Sequence, residues 1–341
     1  MRERGWPRGP VVRVLRRGVV GGFGMSRKLP SAGRVAHPPE SERPESERPE
    51  SERPESERLE PERPESDRPE PGVCDLRDAL DRQELELYYQ PQVRDDGRAV
   101  TVEALIRWRR ADGTVLAPDA FLGLAERGGL MPRVTAFVLE RAMTQTAGWH
   151  AAALPVRVSV NITPADALEP GFADEVLNRL SRHGLPADAL TVEITETAET
   201  HEMVRTAGTL AELASRGVTV SLDDFGTGHA SLARLRALPV GELKLDRSFV
   251  AGMAWNPQDA AVVRCSVNLA HELGLTVVAE GVEEEATRRL LSGMGVGLIQ
   301  GWLISPALPP VLATAWLRNN GVAPRVHPER REPARHTPPE G

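Results

Sequence analysis

The chain has 341 residues, 40% of them hydrophobic and 4% aromatic, with a net charge of −7. That is enough apolar material for one large domain or two small ones, and too few aromatic rings for a platform that stacks single-stranded nucleic acid. The two cysteines, Cys74 and Cys265, form no CxxC or Cys/His cluster, which argues against a zinc framework and fits a reducing, cytoplasmic compartment.

Residues 1–38 are rich in Arg, Gly and Pro and read as a disordered basic segment. The run VVRVLRRGVVGGFG is too short for a membrane span, and Arg16 and Arg17 split it as a secretory core, so neither is expected. Met25 is a second candidate start. Residues 39–71 repeat the unit PESER with Leu59 as the lone aliphatic residue. Such a segment cannot offset its ordering entropy by burial, and its prolines break any helix. It reads as a disordered linker, with a docking tether as the competing role. Charge divides sharply here: residues 1–39 hold nine Arg/Lys against one acid, and residues 40–70 hold six Arg against thirteen acids.

From 72 to 320 strand and helix patterns alternate. Strands are predicted at 84–93, 100–108, 156–162, 190–195, 218–223, 242–246, 276–280 and 297–303. Helices are predicted at 118–128, 132–149, 172–183, 201–216, 257–273 and 284–293, with a short turn near 231–237. Gly184, Gly217 and Gly274 fall where helices should stop. Eight strands alternating with helices over about 250 residues is the rhythm of a (β/α)₈ barrel. A doubly wound open sheet competes, but no GxGxxG follows the first strand. Residues 321–341 read as a disordered tail.

Seven apolar runs carry metal-binding or proton-handling side chains at or near their ends: Glu103, Asn161, Glu193, Asp223 with Asp224, Lys244, Glu280 and Gln300. A buried strand end is a costly place for a carboxylate unless a metal, a proton or a hydrogen bond satisfies it. In a barrel these ends converge on one face. Residues 71–320 are acidic, with 32 acids against 23 basic residues, so a phosphate ligand would enter only after cations. Three carboxylates and an amide oxygen, from Glu103, Asn161, Glu193 and Asp223, are hard ligands suited to Mg²⁺ or Mn²⁺. Asp223 is placed to bridge to a second cation held by Asp224 and Glu280, with both aspartates facing the mouth where the chain turns past the strand end. Such a pair of cations suits phosphodiester hydrolysis.

Lys28 and Lys244 are the only lysines among 42 basic residues. Arginine-favouring codons explain the scarcity; a point charge whose pKa responds to its surroundings explains why Lys244 is retained. It would orient or deprotonate water, and Arg107 would grip a phosphate. Simpler roles compete for each group. Asp223–Asp224 before FGTG could be a tight turn, Glu103 could pair with Arg107 in the core, and Glu284 and Glu285 read as a helix N-terminal acidic run.

The ordered segments Tyr89-Gln90-Pro91, Glu103-Ala104-Leu105-Ile106-Arg107-Trp108, Val160-Asn161-Ile162, Glu193-Ile194-Thr195-Glu196, Asp223-Asp224-Phe225-Gly226-Thr227-Gly228, Lys244-Leu245-Asp246, Ala279-Glu280-Gly281-Val282-Glu283 and Gln300-Gly301 resemble the EAL-domain family of cyclic di-GMP phosphodiesterases. The resemblance runs from about Tyr88 to Pro306. It implies a modified TIM (β/α)₈ barrel with an antiparallel first strand, and hydrolysis of cyclic di-GMP to linear pGpG with two Mg²⁺ or Mn²⁺ ions. It implies that Glu103, Asn161, Glu193 and Asp223 hold one metal and Asp223, Asp224 and Glu280 the other. Lys244 would position water, with Glu280 and Glu283 also in the catalytic set. Gln90, Leu105, Arg107 and Gln300 would line the substrate, with Gln300 also supporting the site. Glu196 would anchor the loop after Phe225. The chain departs from the family at His229-Ala230-Ser231, where an aromatic and Ser-Ser are usual, in a loop linked to dimerisation. Trp302 replaces a usual Tyr or Phe. A homodimer, a regulatory protein partner and a cytoplasmic setting are expected, with no nucleic-acid polymer and no membrane span. The competing readings are a catalytically silent cyclic di-GMP receptor acting through a protein partner, and a scaffold working through its disordered arms.

Overall fold

The computed structural model describes residues 71–195, 200–226, 235 and 237–323, with the side chains of 200–204 left aside. Glu196, His229 and Ala230, most of the predicted 231–237 turn, the basic segment, nearly all of the repeat and most of the C-terminal tail lie outside the described residues.

Nine strands make one sheet: β1 (Leu85–Val93), β2 (Ala99–Arg109), β3 (Val115–Leu116), β4 (Arg157–Asn161), β5 (Leu190–Thr195), β6 (Thr219–Phe225), β7 (Glu242–Leu245), β8 (Thr276–Ala279) and β9 (Leu298–Ile299). β1 pairs with both β2 and β9, so eight strands close a ring and β3 hangs on β2. All ring pairs from β2 through β4 to β9 are parallel, and β1 runs antiparallel to both neighbours. This is the expected modified barrel. β1 and β2 pair from Leu85↔Trp108 to Val93↔Ala99. The closing seam is thinner: β1 meets β9 at Val93↔Ile299, and Tyr89 exchanges two backbone hydrogen bonds with Leu308 nearby.

The helices α1 (Val73–Asp81), α2 (Leu122–Arg127), α3 (Met131–Ala151), α4 (Pro164–Leu168), α5 (Phe172–Arg182), α6 (Thr200–Ser215), α7 (Arg247–Gly252), α8 (Pro257–Glu272), α9 (Glu285–Gly293) and α10 (Pro310–Asn320) accompany the ring. The sequence reading missed α1, α4, α7 and α10. α4 and α7 are single short turns started by caps rather than by long periodicity: Thr163 accepts from Asp166 N at 3.1 Å, and Asp246 accepts from Ser248 N at 2.9 Å. The predicted 118–128 helix is a 3₁₀ turn over Pro118–Ala120 followed by α2. The predicted 297–303 strand shortens to β9, because the chain leaves the ladder at Gln300.

Alternation along the strands sorts the side chains. In β5, Leu190, Val192 and Ile194 face the helices, while Thr191 and Glu193 face inward on the opposite side. The apolar core therefore lies between ring and helices, where Tyr89 meets Trp149 edge to face at 4.9 Å. The inside of the ring is largely polar, and that is where the site is built.

Candidate active site

Lys244, on β7, is fully buried at 0% exposure, and its Nζ lies 2.6 Å from Glu280 Oε1, 2.8 Å from Glu193 Oε2, 3.1 Å from Asp223 Oδ2 and 3.6 Å from Glu103 Oε2. The strand ladder explains the convergence. Glu193 of β5 pairs in register with Asn161 of β4, and β2, β6, β7 and β8 bring Glu103, Asp223, Lys244 and Glu280 to the same end. Two groups of carboxylates share Asp223: Glu103, Glu193 and Asp223, and then Asp223, Asp224 and Glu280, each with oxygens within 4.8 Å of one another.

Asp224 does not lie beyond the strand end, as the sequence reading supposed. It is still within β6, at φ 57°, and the β6–β7 register shifts between Leu222 and Phe225. The shift overrides strict alternation and lets neighbouring aspartates serve one cluster. The Asp224 backbone N–H donates to Asp223 Oδ1 at 2.8 Å.

A glutamine ladder closes the other side. Gln300 Nε2 donates to Glu103 Oε2 at 2.6 Å and to Gln90 Oε1 at 3.0 Å, while Gln92 Nε2 donates to Gln300 Oε1 at 2.9 Å. Asn161 Nδ2 donates to Glu103 Oε1 at 3.0 Å. Glu103 is thus held by Lys244, Gln300 and Asn161, and the alternative core pair with Arg107 does not form. Gly301 is required by a close approach: a Cβ there would run into the Val282 backbone, whose N–H donates to Gln300 O at 3.0 Å. This contact ties the loop carrying Glu280 to the segment just past β9 that carries Gln300.

Five carboxylates face one ammonium, and their proton affinities record the imbalance. Burial, aided by Asp223 and Glu103 and opposed by Lys244, pushes Glu280 up to about 8. Burial and the neighbouring Asp223 and Asp246 push Asp224 up to about 6. Burial also holds Glu193 well above the carboxylate range. Burial works against Glu103 too, but Lys244, Gln300 and Asn161 keep it below its ordinary value. Lys244 is driven well above its own range, with the charges of Glu103, Glu193, Glu280 and Asp223 overcoming burial. Glu193 Oε1 meets no hydrogen-bond donor among the described residues. Excess negative charge, an all-oxygen donor set and an orphaned carboxylate oxygen fit a hard divalent cation.

Of the other expected residues, Arg107 sits over the Tyr88 ring at 5.6 Å and donates to Ile106 O at 2.8 Å. Burial lowers its proton affinity without threatening its charge. Leu105 lies half-buried opposite Tyr88, and Gln90 also donates to Ser305 O at 3.0 Å. Glu283 is exposed beyond β8, outside the buried cluster. The sequence reading missed Gln92 and Glu242, although each stands two residues from a chosen one, Gln90 and Lys244, on the same strand face. Burial raises the Glu242 carboxyl, and Arg157 opposes it. Asp246 of the LKLD run belongs to a helix cap.

An eight-stranded ring with one reversed strand and a carboxylate cluster around a buried lysine defines a modified (β/α)₈ barrel with an acidic, cation-ready mouth. The chain belongs to the EAL domain family, whose model matches residues 73–307. It is 39% identical over 240 residues to the bifunctional diguanylate cyclase/cyclic di-GMP phosphodiesterase MucR of Pseudomonas aeruginosa, covering 69% of this chain and 35% of that protein. It is also 39% identical over 246 residues to the cyclic di-GMP phosphodiesterase NbdA of the same organism, covering 72% and 31%. The chain thus spans about a third of the length of these curated relatives. Among solved structures, a PaMucR phosphodiesterase–c-di-GMP complex matches with TM-score 0.67 and 37% identity, over 71% of this chain and 98% of that one. The EAL domain of Mycobacterium smegmatis DcpA matches with TM-score 0.58 and 32% identity, over 71% and 99%. No helix among the described residues is long and apolar enough to cross a membrane.

Proposed function

We propose that residues 72–320 form a cyclic di-GMP phosphodiesterase that adds water across one phosphodiester bond and releases linear pGpG. The observation that carries this is the pair of carboxylate groups joined at Asp223 around buried Lys244, in a chain of the EAL domain family. Glu103, Asn161, Glu193 and Asp223 would hold one Mg²⁺ or Mn²⁺, and Asp223, Asp224 and Glu280 a second. When bound, these ions supply charge neutralisation and water activation.

The chain's own residues do the rest. Lys244 holds a fixed positive charge at the water position and takes part in steering its proton. The Gln300–Glu103 hydrogen bond fixes the orientation of one metal-facing carboxylate. Arg107, braced against Tyr88, binds a non-bridging phosphate oxygen. Gln90, Leu105 and Gln300 line the substrate, and Glu283 supports the rim from its exposed position. Glu196 is assigned to anchoring the loop after Phe225. The working state is a cytoplasmic homodimer answering to a regulatory protein partner.

The test is incubation of the purified protein with cyclic di-GMP and Mg²⁺ or Mn²⁺, with pGpG measured by chromatography. Product from wild type and at least a hundredfold less from Glu103→Ala is expected. Tight binding of cyclic di-GMP with no pGpG would instead identify a receptor.

A further inference from the structure

The site described above uses the mouth of the barrel and leaves its floor unassigned. Three side-by-side register pairs line that floor: Gln92↔Thr101 across β1 and β2, Ser159↔Thr191 across β4 and β5, and Ser221↔Glu242 across β6 and β7. All six side chains are buried to within 1% of full enclosure. In each, one oxygen has no hydrogen-bond partner among the described residues: Gln92 Oε1, Thr101 Oγ1, Ser159 Oγ, Thr191 Oγ1, Ser221 Oγ and Glu242 Oε1. Ser221 lies near enough to Glu242 to ease its charge, yet not in hydrogen-bond geometry.

Buried polar atoms in folded proteins are nearly always satisfied, so six neighbouring exceptions need one explanation. Barrel interiors are usually filled by bulky branched apolar chains. Here four small hydroxyl side chains, Thr101, Ser159, Thr191 and Ser221, occupy those positions. Val278 and Leu298 continue the Lys244 rung across β8 and β9 with apolar side chains. The six orphaned atoms include hydroxyls, an amide carbonyl and a carboxylate. A ligand that both donates and accepts suits that mixture. A cation suits it poorly, because the Lys244 ammonium lies above and the Arg157 charge already acts on Glu242.

We propose that the barrel floor is a water-binding chamber, in which ordered waters bridge Gln92, Thr101, Ser159, Thr191, Ser221 and Glu242 beneath Lys244. This site is separate from the phosphodiesterase reading and stands without it. Its effect is to seat the buried lysine on a polar, hydrogen-bonded base that apolar filling would not provide.

Two measurements on the full chain test it, and neither reads activity. A high-resolution crystal structure should show ordered waters, each bonded to at least two of the six atoms. A dry void, direct bonds among the six side chains, or a peak with cation coordination distances would overturn the proposal. Thr101→Val and Thr191→Val keep shape and remove one hydroxyl each. With bridging waters each variant lowers Tm by about 2–4 °C, since a water loses a partner. On a dry floor the same changes leave Tm unchanged or raise it, which would sink the idea even if crystals never form.

Discussion

At the level of single residues, Lys244 is the group on which most depends. Removing one member of a buried ionic cluster typically costs about 3–5 kcal/mol, because the remaining charges lose their compensation. Lys244→Met is expected to lower Tm in chelator, to recover part of that loss with Mn²⁺, and to cut turnover by about 10²–10⁴-fold. A variant with near wild-type turnover would remove Lys244 from the chemistry. Arg107→Ala makes a contrasting case: KM should rise while Tm barely moves, since the side chain braces on Tyr88 but joins no buried ion pair among the described residues.

Protonation gives a second test at this scale. Without a cation, Glu280 titrates near 8 and Asp224 near 6, both above the ordinary carboxylate range. The folded protein therefore holds protons that the unfolded chain has already lost, and its stability falls as pH rises from the carboxylate range toward about 8. Glu103 titrates below that window and Lys244 above it. Cation binding must expel the protons. Calorimetry at neutral pH should show proton release on Mn²⁺ binding, with affinity strengthening up to about pH 8. A binding enthalpy identical in buffers of different ionisation enthalpy would contradict this.

Among the elements, the loops decide more than the strands. The sequence revealed β1, β2, β5, β8 and the long helices α3, α5 and α8 well, because period and helix stops agree there. It could not reveal α4 or α7, each a single capped turn, or the shortening of β9, which depends on Gly301 letting Val282 cross. The polar residues at the mouth were legible because a carboxylate at the end of an apolar run stands out. Gln92 and Glu242 were not, since they sit a rung below the motif that drew attention. The Asp224 kink was also hidden, because a register shift is a property of paired strands. Gly301→Ala probes this level: the added methyl meets backbone, so the loop must move. The fold should survive with a loss of about 1–3 kcal/mol, while Mn²⁺ affinity drops as Glu280 leaves the cluster. Unchanged affinity would show that the Val282–Gln300 contact does not place Glu280.

For the whole molecule, the acidic mouth makes cations part of the stability balance. Binding that favours the folded state adds about 2.7 kcal/mol at a ligand concentration of 100 Kd. Mg²⁺ or Mn²⁺ should therefore raise Tm by several degrees and chelator should reverse it. Glu103→Gln should blunt the response.

The thin seam between β1 and β9 has its own consequence. Chain order joins β2 through β9 step by step, but Gln90 and Gln92 reach Gln300 only when the first strand of the ring meets the last, more than two hundred residues away. The entropy of drawing such distant segments together must be met before their contacts repay it. A nascent chain can thus build most of the carboxylate rim and still lack the glutamine that orients Glu103. Ring closure thus completes the hydrogen-bonding of Glu103, and a chain cut short before Gln300 would lack that hydrogen bond.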